Sequence, residues 1–136
     1  MLTDGAGVPL AVAIDGANRH DMKMLEPTLN QVQSAPSDPS QEQNLCLDKG
    51  YDYPEVEETV REFGLEPHIR SRKEEDKALK KVPGFRARRW VVERTHSWMN
   101  RFRRLLVRWE KKKDNYLGMI YLTCAYITFK AAGVFG

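Results

Sequence analysis

The sequence has 136 residues and a formal net charge of +3, with 41% hydrophobic and 30% charged residues. This length suits one domain, and this balance of apolar and charged residues excludes a wholly disordered chain. The two cysteines, Cys46 and Cys124, lie far apart and form no CxxC pair. The pattern disfavours a zinc ribbon and a disulfide scaffold, and it favours a reducing, cytoplasmic location.

The charge is divided unevenly along the chain. Residues 1–66 carry 4 Lys and Arg against 13 Asp and Glu, whereas residues 67–136 carry 18 against 6. A strongly basic half predicts a polyanionic partner such as nucleic acid. The alternative is that the two halves pack together and neutralise each other.

Residues 1–14 are predicted to form a hairpin. Asp4 and Gly5 begin a turn between a short strand at residues 1–3 and an apolar strand at residues 8–14. A first strand of three residues is short for a sheet. We therefore expect the sheet to lack an N-terminal part, which is either truncated or encoded elsewhere.

A helix capped by Asp21 is predicted next, because Met22, Leu25, Leu29 and Val32 recur at helical spacing. A loop rich in Pro and Ser follows. The middle of the chain then alternates between strand and helix: strand Asn44–Leu47, a helix with a capping box at Asp52 and Glu55 that ends at Gly64, and a strand at residues 65–69. This alternation indicates an α/β fold with parallel neighbours.

The C-terminal part is predicted to be helical. One long helix at residues 85–112 is indicated by apolar side chains at intervals of three and four: Val91, Thr95, Trp98, Phe102, Leu105 and Trp109. The last helix, residues 116–132, is capped by Asp114 or Asn115 and is apolar nearly all round. Its apolar run is shorter than the ~20 residues of a membrane span. A buried helix is therefore favoured, and a membrane-tethered protein is the alternative.

Two carboxylates are candidates for catalysis. Asp48 follows a buried strand at its carboxyl end, where α/β sheets place their sites, although an ordinary turn aspartate would also fit. Glu93 lies in an arginine-rich stretch, where the alternative is a salt bridge to Arg89. Together they could hold divalent ions for phosphodiester chemistry, with arginines on the DNA backbone.

Several other polar and aromatic residues favour ordinary structural roles. Asn18, His20 and Asp21 could lie near the mouth of a site, but turn and N-cap roles are favoured. The three tryptophans, Trp90, Trp98 and Trp109, are expected to be core residues or DNA-facing platforms rather than cofactor contacts.

Several motifs, taken in this order, resemble bacterial insertion-sequence transposases of the DDE type, in the group that covers insertion-sequence families four and five. The motifs are LTDG at residues 2–5, GVPL at 7–10, ANRHD at 17–21, LDKGYD at 47–52, RWVVERTHSW at 89–98 and FRRL at 102–105. Each motif is weak alone, but the combination is specific, and it spans residues 2 to about 130.

The resemblance implies one partial catalytic domain over residues 1–136 with a ribonuclease-H-like mixed sheet and flanking helices. Residues 1–69 would supply the sheet and first helices, and residues 84–132 would supply the helices that carry the third acid. The second and third acids of the family match Asp48 and Glu93, which would be both catalytic residues and ligands of Mg²⁺ or Mn²⁺. The expected DNA-binding residues are Lys49, Arg86, Arg89, Arg94, Arg101 and Arg104.

The resemblance also implies double-stranded DNA partners at transposon ends and targets, a homo-oligomer or an upstream-encoded transposase part, and no membrane. The sequence departs from the family in two respects. Arg86 and Asn100 stand where members often carry Tyr and Lys, and neither Asp4 nor Asp15 matches the first catalytic Asp. The alternative function is a catalytically inactive DNA-binding remnant that regulates at transposon ends.

Overall fold

The computed structural model describes residues 1–16, 18, 20–33, 40–69 and 90–134. The chain divides into two compact units, one formed by Met1–Ile14 with Val91–Gly136 and the other by Asp15–Trp90. Residues 1–14 therefore group with the C-terminal helices. The sequence instead predicts that residues 1–14 belong with the rest of residues 1–69. The assignment of all 136 residues to one partial domain stays a prediction.

The described strands and helices are short, apart from the last helix. In chain order they are β1 (Leu2–Thr3), β2 (Pro9–Ala11), a first 3₁₀ turn (Asp21–Met24), α1 (Leu25–Leu29), β3 (Asn44–Leu47), a second 3₁₀ turn (Lys49–Tyr51), α2 (Pro54–Glu62), β4 (Glu66–Ile69), α3 (Trp90–Met99), α4 (Arg103–Leu106) and α5 (Lys113–Ala131). This is a mixed α/β chain, as the sequence predicts. In the described residues the strands form two two-stranded sheets, β1–β2 and β3–β4.

In the unit formed by Asp15–Trp90, β3 and β4 pair in parallel, with Asn44 opposite Glu66 and Leu47 opposite Ile69. The connection between them is α2, which packs against β4 and buries Val56 and Val60. This arrangement confirms the predicted strand–helix–strand order and its parallel pairing. Parallel strands need such a crossover because a tight turn reverses the chain direction and can join only antiparallel strands.

The end of α2 is also as predicted, but its start is not. Gly64 has a φ of +73°, and the N–H of Leu65 donates to the carbonyl of Val60 at 3.2 Å, which is the αL ending of a Schellman motif. The predicted capping box at Asp52 is wrong. Tyr53 occupies the N-cap position without a side-chain cap, because Pro54, whose fixed φ suits a first helical residue, starts the helix later.

The predicted helix from Asp21 is shorter and begins differently. His20 occupies the position before the 3₁₀ turn and makes no side-chain cap, whereas Asp21 is the first residue of that turn. The following α1 has five residues, with Pro27 inside its first turn, and it buries Leu25 and Leu29. The predicted N-cap role of Asp21 is therefore wrong.

In the other unit, β1 and β2 form the predicted antiparallel hairpin, with Leu2 opposite Ala11. The Asp4 side chain organises the turn, because its Oδ1 accepts the N–H of Ala6 at 2.9 Å and of Val8 at 2.8 Å. The second strand covers only Pro9–Ala11 of the predicted residues 8–14.

The long helix predicted at residues 85–112 is broken, which corrects that prediction for its described part. The helix α3 ends at Met99, and Phe102 takes an extended conformation with φ −87° and ψ 100° before α4 begins. The Phe102 ring instead packs edge-on against Tyr126 of α5, with centroids 5.6 Å apart. This aromatic contact, worth about 0.5–1.5 kcal/mol beyond area burial, favours the turn over a continuous helix.

The last helix is longer than predicted and only partly buried. Lys112 is its N-cap residue and makes no side-chain cap, so the predicted caps at Asp114 and Asn115 are wrong. One face of α5 buries Ile120, Thr123 and Ile127. The predicted all-round burial is wrong, because large apolar side chains stay exposed on the rest of α5, namely Tyr121, Leu122, Tyr126 and Phe129. None of the helices in the described residues combines the length and the apolar character that a membrane span requires.

Candidate active site

Asp48 stands where β3 ends and the chain turns away from the sheet. Its backbone is extended, with φ −81° and ψ 170°, and its Oδ1 accepts the N–H of Gly50 at 2.8 Å, so that it caps the second 3₁₀ turn. The side chain is exposed. The hydrogen bond engages Oδ1, and the carboxylate stays accessible to solvent. The structure therefore gives Asp48 both a turn role and a preorganised, accessible carboxylate.

Gly50 lies close to the Asp48 carboxylate. A Cβ added at Gly50 would stand 3.0 Å from Oδ1 of Asp48. That separation is closer than an ordinary van der Waals contact, so a side chain here would press on the carboxylate. A larger residue at position 50 would require the Asp48 carboxylate to shift by a few tenths of an ångström.

A second carboxylate lies near Asp48 in the same unit. The two 3₁₀ turns, Asp21–Met24 and Lys49–Tyr51, pack against each other. Burial raises the pKa of Tyr51 above its ordinary value, and the negative charges of Asp21 and Asp48 raise it further. The possibility that Asp21 lies near the mouth of the site is thus supported by this contact between the two turns.

Glu93 lies on α3, near its start, and is exposed. The two residues that follow it attach the helix to the hairpin turn of the same unit. The Thr95 hydroxyl donates to the carbonyl of Gly7 at 2.7 Å, and the Arg94 guanidinium donates to the carbonyl of Ala6. Thr95 is completely buried. The two residues after Glu93 therefore fix this part of α3 against the hairpin turn.

The described basic residues differ in what they contact. Lys49 and Arg101 are exposed, and Arg104 is exposed while pairing with Glu110 across 3.3 Å. The Arg94 guanidinium also lies over the Trp98 ring, 5.0 Å from its centroid. Its engagement within the unit competes with phosphate binding. Arg86 and Arg89 lie outside the described residues, and the DNA-binding role of all six residues stays a prediction.

Asp48 and Glu93 belong to different compact units. Their convergence on a shared metal site therefore stays a prediction of the resemblance. Across the described parts of the chain, no group of three His, Cys, Asp or Glu side chains is placed to hold a metal ion. Two exposed carboxylates nevertheless offer the oxygen donors that Mg²⁺ prefers, and Mg²⁺ commonly binds one or two carboxylates with water and phosphate.

Trp109 differs from its predicted place in the core. The spacing predicts that it belongs to the apolar seam of a long helix, and a DNA-facing platform is the other predicted role. The indole is 71% exposed, in the segment between α4 and α5. The sequence signal that could have indicated exposure is the dense run of Arg and Lys on both sides of it.

Comparison with known proteins identifies the family of this chain. The family model described as "Transposase DDE domain" matches residues 1–128. The chain therefore belongs to the DDE transposase family, which confirms the resemblance seen in its motifs.

One relative gives the same result. The chain is 34% identical over 131 residues to a protein from Burkholderia cepacia named as a transposase for insertion sequence element IS402. The match covers 93% of this chain and 60% of that protein, so the chain spans about three fifths of its relative's length. No solved structure matches the chain.

Proposed function

We propose that this chain carries two of the metal-binding carboxylates of a DDE transposase, Asp48 and Glu93, on a ribonuclease-H-like core. The reaction would be cleavage at transposon ends followed by attack of a 3′-hydroxyl on target DNA. The observation that carries the proposal is the Asp48 carboxylate, held by the Gly50 N–H in an exposed position at the carboxyl end of β3. The family match over residues 1–128 supports the same assignment.

Each residue has a defined part in this proposal. Asp48 and Glu93 would hold Mg²⁺ or Mn²⁺ through carboxylate oxygens. When bound, such ions supply charge neutralisation and activation of water or a 3′-hydroxyl in phosphodiester chemistry. The hydrogen bonds of Thr95 and Arg94 to the hairpin turn hold α3, and with it Glu93, in a fixed position relative to the hairpin. A preorganised carboxylate loses less conformational freedom when it binds a cation, so these contacts favour metal binding.

DNA would be held by cations around the carboxylates. Lys49 follows Asp48 directly, and Arg101 and Arg104 follow α3. Phosphate contacts of this kind position a duplex without reading its sequence. The substrate would be double-stranded DNA at transposon ends and targets, and a chain acting on bacterial chromosomal DNA would work in the cytoplasm. A homo-oligomer or an association with a further transposase part is compatible with this proposal.

A first experiment tests whether Asp48 and Glu93 meet. Both are replaced by Cys in a chain that also carries Cys46→Ser and Cys124→Ser, and Cd²⁺ binding is followed by thiolate absorbance. A shared site requires that the double variant bind Cd²⁺ far more tightly than either single Cys variant. Equal affinities of the single and double variants would place the two residues apart and contradict the proposal. A matched double variant, with Asp52→Cys instead of Asp48→Cys, controls for chance pairing.

The alternative function is DNA binding without catalysis. It is supported by the exposed cations Lys49, Arg101 and Arg104, since contacts of this kind with phosphate need no metal ion. Strand cleavage by the chain, assayed with Mg²⁺ and DNA that carries its element's ends, distinguishes the two functions. If the chain binds duplex DNA but does not cleave it, even when a segment that carries the missing acid is added, the result would favour the regulatory remnant.

A further inference from the structure

The segment between α4 and α5, residues 107–112, leaves a large aromatic ring in solvent. Trp109 is 71% exposed, more than any other large apolar side chain among the described residues. An indole in a folded chain usually buries its ring and gives its N–H a partner. Its exposure here therefore calls for a ligand that covers an aromatic face.

The course of this segment is fixed on both sides of Trp109. The Arg108 guanidinium lies 5.0 Å from the centroid of the Tyr116 ring, and its Nε donates to the carbonyl of Glu110 at 3.4 Å. The Glu110 side chain is only 12% exposed and accepts from Arg104 at 3.3 Å. Both sequence neighbours of Trp109 are held by contacts within the unit, so the fold itself presents the indole.

The surroundings of the indole are strongly cationic. Residues 100–113 contain seven cations and one acid, and that acid is Glu110, whose carboxylate is turned onto Arg104. These seven cations are all exposed: Arg101, Arg103, Arg104, Arg108, Lys111, Lys112 and Lys113. Such a surface follows a polyanionic backbone by charge, whatever the base sequence.

We propose that Trp109 is a stacking platform for an unpaired DNA base, with the surrounding cations holding the adjoining phosphates. An aromatic face and a cationic surface together are the combination that binds single-stranded nucleic acid, because every base has a face on which an aromatic ring can stack. In a duplex those faces are already covered by neighbouring base pairs. The platform therefore distinguishes unpaired from paired DNA, and it rests on the proposed function only in taking the nucleic acid to be DNA.

Binding of a fluorescent oligothymidine strand and of a labelled duplex by the 136-residue chain tests the platform. Trp109→Ala should weaken binding of the single strand roughly 5- to 100-fold and change duplex binding far less. Trp109→Phe should retain most of the affinity, because a ring remains. The salt dependence of binding should be the same for Trp109→Ala and the unchanged chain, since no charge is removed. The matched control is Leu106→Ala, which removes another exposed apolar side chain, itself 61% exposed.

A spectroscopic readout makes the test independent of small affinity changes. Stacking should quench tryptophan fluorescence when the single strand binds, and this quenching should be reduced in Trp109→Phe. Unchanged single-strand affinity in Trp109→Ala, or an equal loss in Leu106→Ala, would overturn the proposal. Vesicles of anionic lipid that bind through Trp109 while the single strand does not would assign the surface to a membrane instead. Duplex binding and metal-dependent cleavage are separate readouts, so the proposed function can survive the failure of the platform.

Discussion

The hydroxyl of Thr95 donates to the carbonyl of Gly7 at 2.7 Å, across 88 positions of sequence. The carbonyl of Val91, one helical turn earlier, lies 3.1 Å from the same hydroxyl and is a second acceptor for its single proton. Thr95 is fully buried, and the Gly7 backbone is buried with it. This contact attaches the helix that carries Glu93 to the hairpin turn that Asp4 organises.

Thr95→Val is predicted to destabilise the chain without changing the size of the buried side chain. The substitution leaves the Gly7 carbonyl buried without its donor, which costs about 1–3 kcal/mol. Thr95→Ser is the control because it keeps the hydroxyl and removes only a methyl group. Urea unfolding followed by circular dichroism measures both. Equal stabilities of Thr95→Val and the unchanged chain would show that the hydrogen bond contributes nothing.

Gly7→Ala is predicted to destabilise the chain more than Gly64→Ala. Both glycines have positive φ, +85° and +73°, so each Ala carries a left-handed penalty of about 1–2 kcal/mol. Only at Gly7 would the new Cβ meet other groups, 3.0 Å from both Arg94 Nη2 and Thr95 Oγ1. At Gly64 nothing lies within 4 Å.

Thermal unfolding of the two glycine variants isolates the steric part of the penalty, because the backbone part is common to both. Their difference reports the cost of pushing Arg94 and Thr95 away from the turn. A loss in Gly64→Ala equal to that in Gly7→Ala would contradict the close approach of α3 to the hairpin.

The pKa of Tyr51 is predicted to fall when a nearby carboxylate is neutralised. Burial, then Asp21, then Asp48 raise it from its ordinary value of 10.0, because a buried phenolate near negative charge is disfavoured. Asp21→Asn and Asp48→Asn should each shift the phenol titration to lower pH, as seen in the ultraviolet absorbance of phenolate. Asp52→Asn, next to Tyr51 in sequence but not one of these two carboxylates, is the control. Since the folded state holds this proton more tightly, unfolding free energy should fall as pH rises through 10.

Local signals predicted much of the fold. The strand Asn44–Leu47 was found from its apolar run, and the end of α2 from Gly64, because each depends on residues that are adjacent in the chain. The break at Phe102 could not be predicted, because apolar residues continue at intervals of three and four on both sides of it. The contact with Tyr126 that favours the turn involves a residue far along the chain. The caps failed for a related reason: Asp52 and Asp114 are good capping residues, but neighbours such as Pro54 decide where the helix begins.

The site divides in the same way. The position of Asp48 after a strand could be predicted, since it follows from strand and turn signals that are adjacent in sequence. The packing of the Asp21 turn against the Asp48 turn could not, because these turns are far apart in sequence and no local signal pairs them. Likewise, the sequence predicts only that Thr95 lies on the apolar face of a helix. Its partner is the backbone carbonyl of Gly7, and a backbone carbonyl carries no sequence signal.

Arg101 and Arg94 are predicted to act differently toward duplex DNA. Arg101 is exposed, so Arg101→Ala should weaken binding and lower the slope of log K against log salt by about 0.9, the value for one phosphate contact. Arg94 contacts Ala6 and Trp98 within its own unit, so Arg94→Ala should lower stability and leave the slope unchanged. Titrations at several salt concentrations measure both. A lower slope for Arg94→Ala would mean that its guanidinium leaves the hairpin to bind phosphate.

The last prediction is that residues 1–136 alone do not cut or join DNA. Two carboxylates are few for two divalent ions, because Mg²⁺ gives up its water reluctantly and needs anionic oxygens to hold it. Asp4 does not match the family's first Asp, because it lies in the hairpin turn, where its Oδ1 accepts two backbone N–H groups. Supplying a segment with the family's first Asp, in the same chain or as a separate one, should restore Mg²⁺-dependent cleavage. In that protein Asp48→Asn and Glu93→Gln should each abolish cleavage while DNA binding persists. Robust cleavage by the 136-residue chain would instead show that another acid, such as Asp15 or Asp52, completes the metal site.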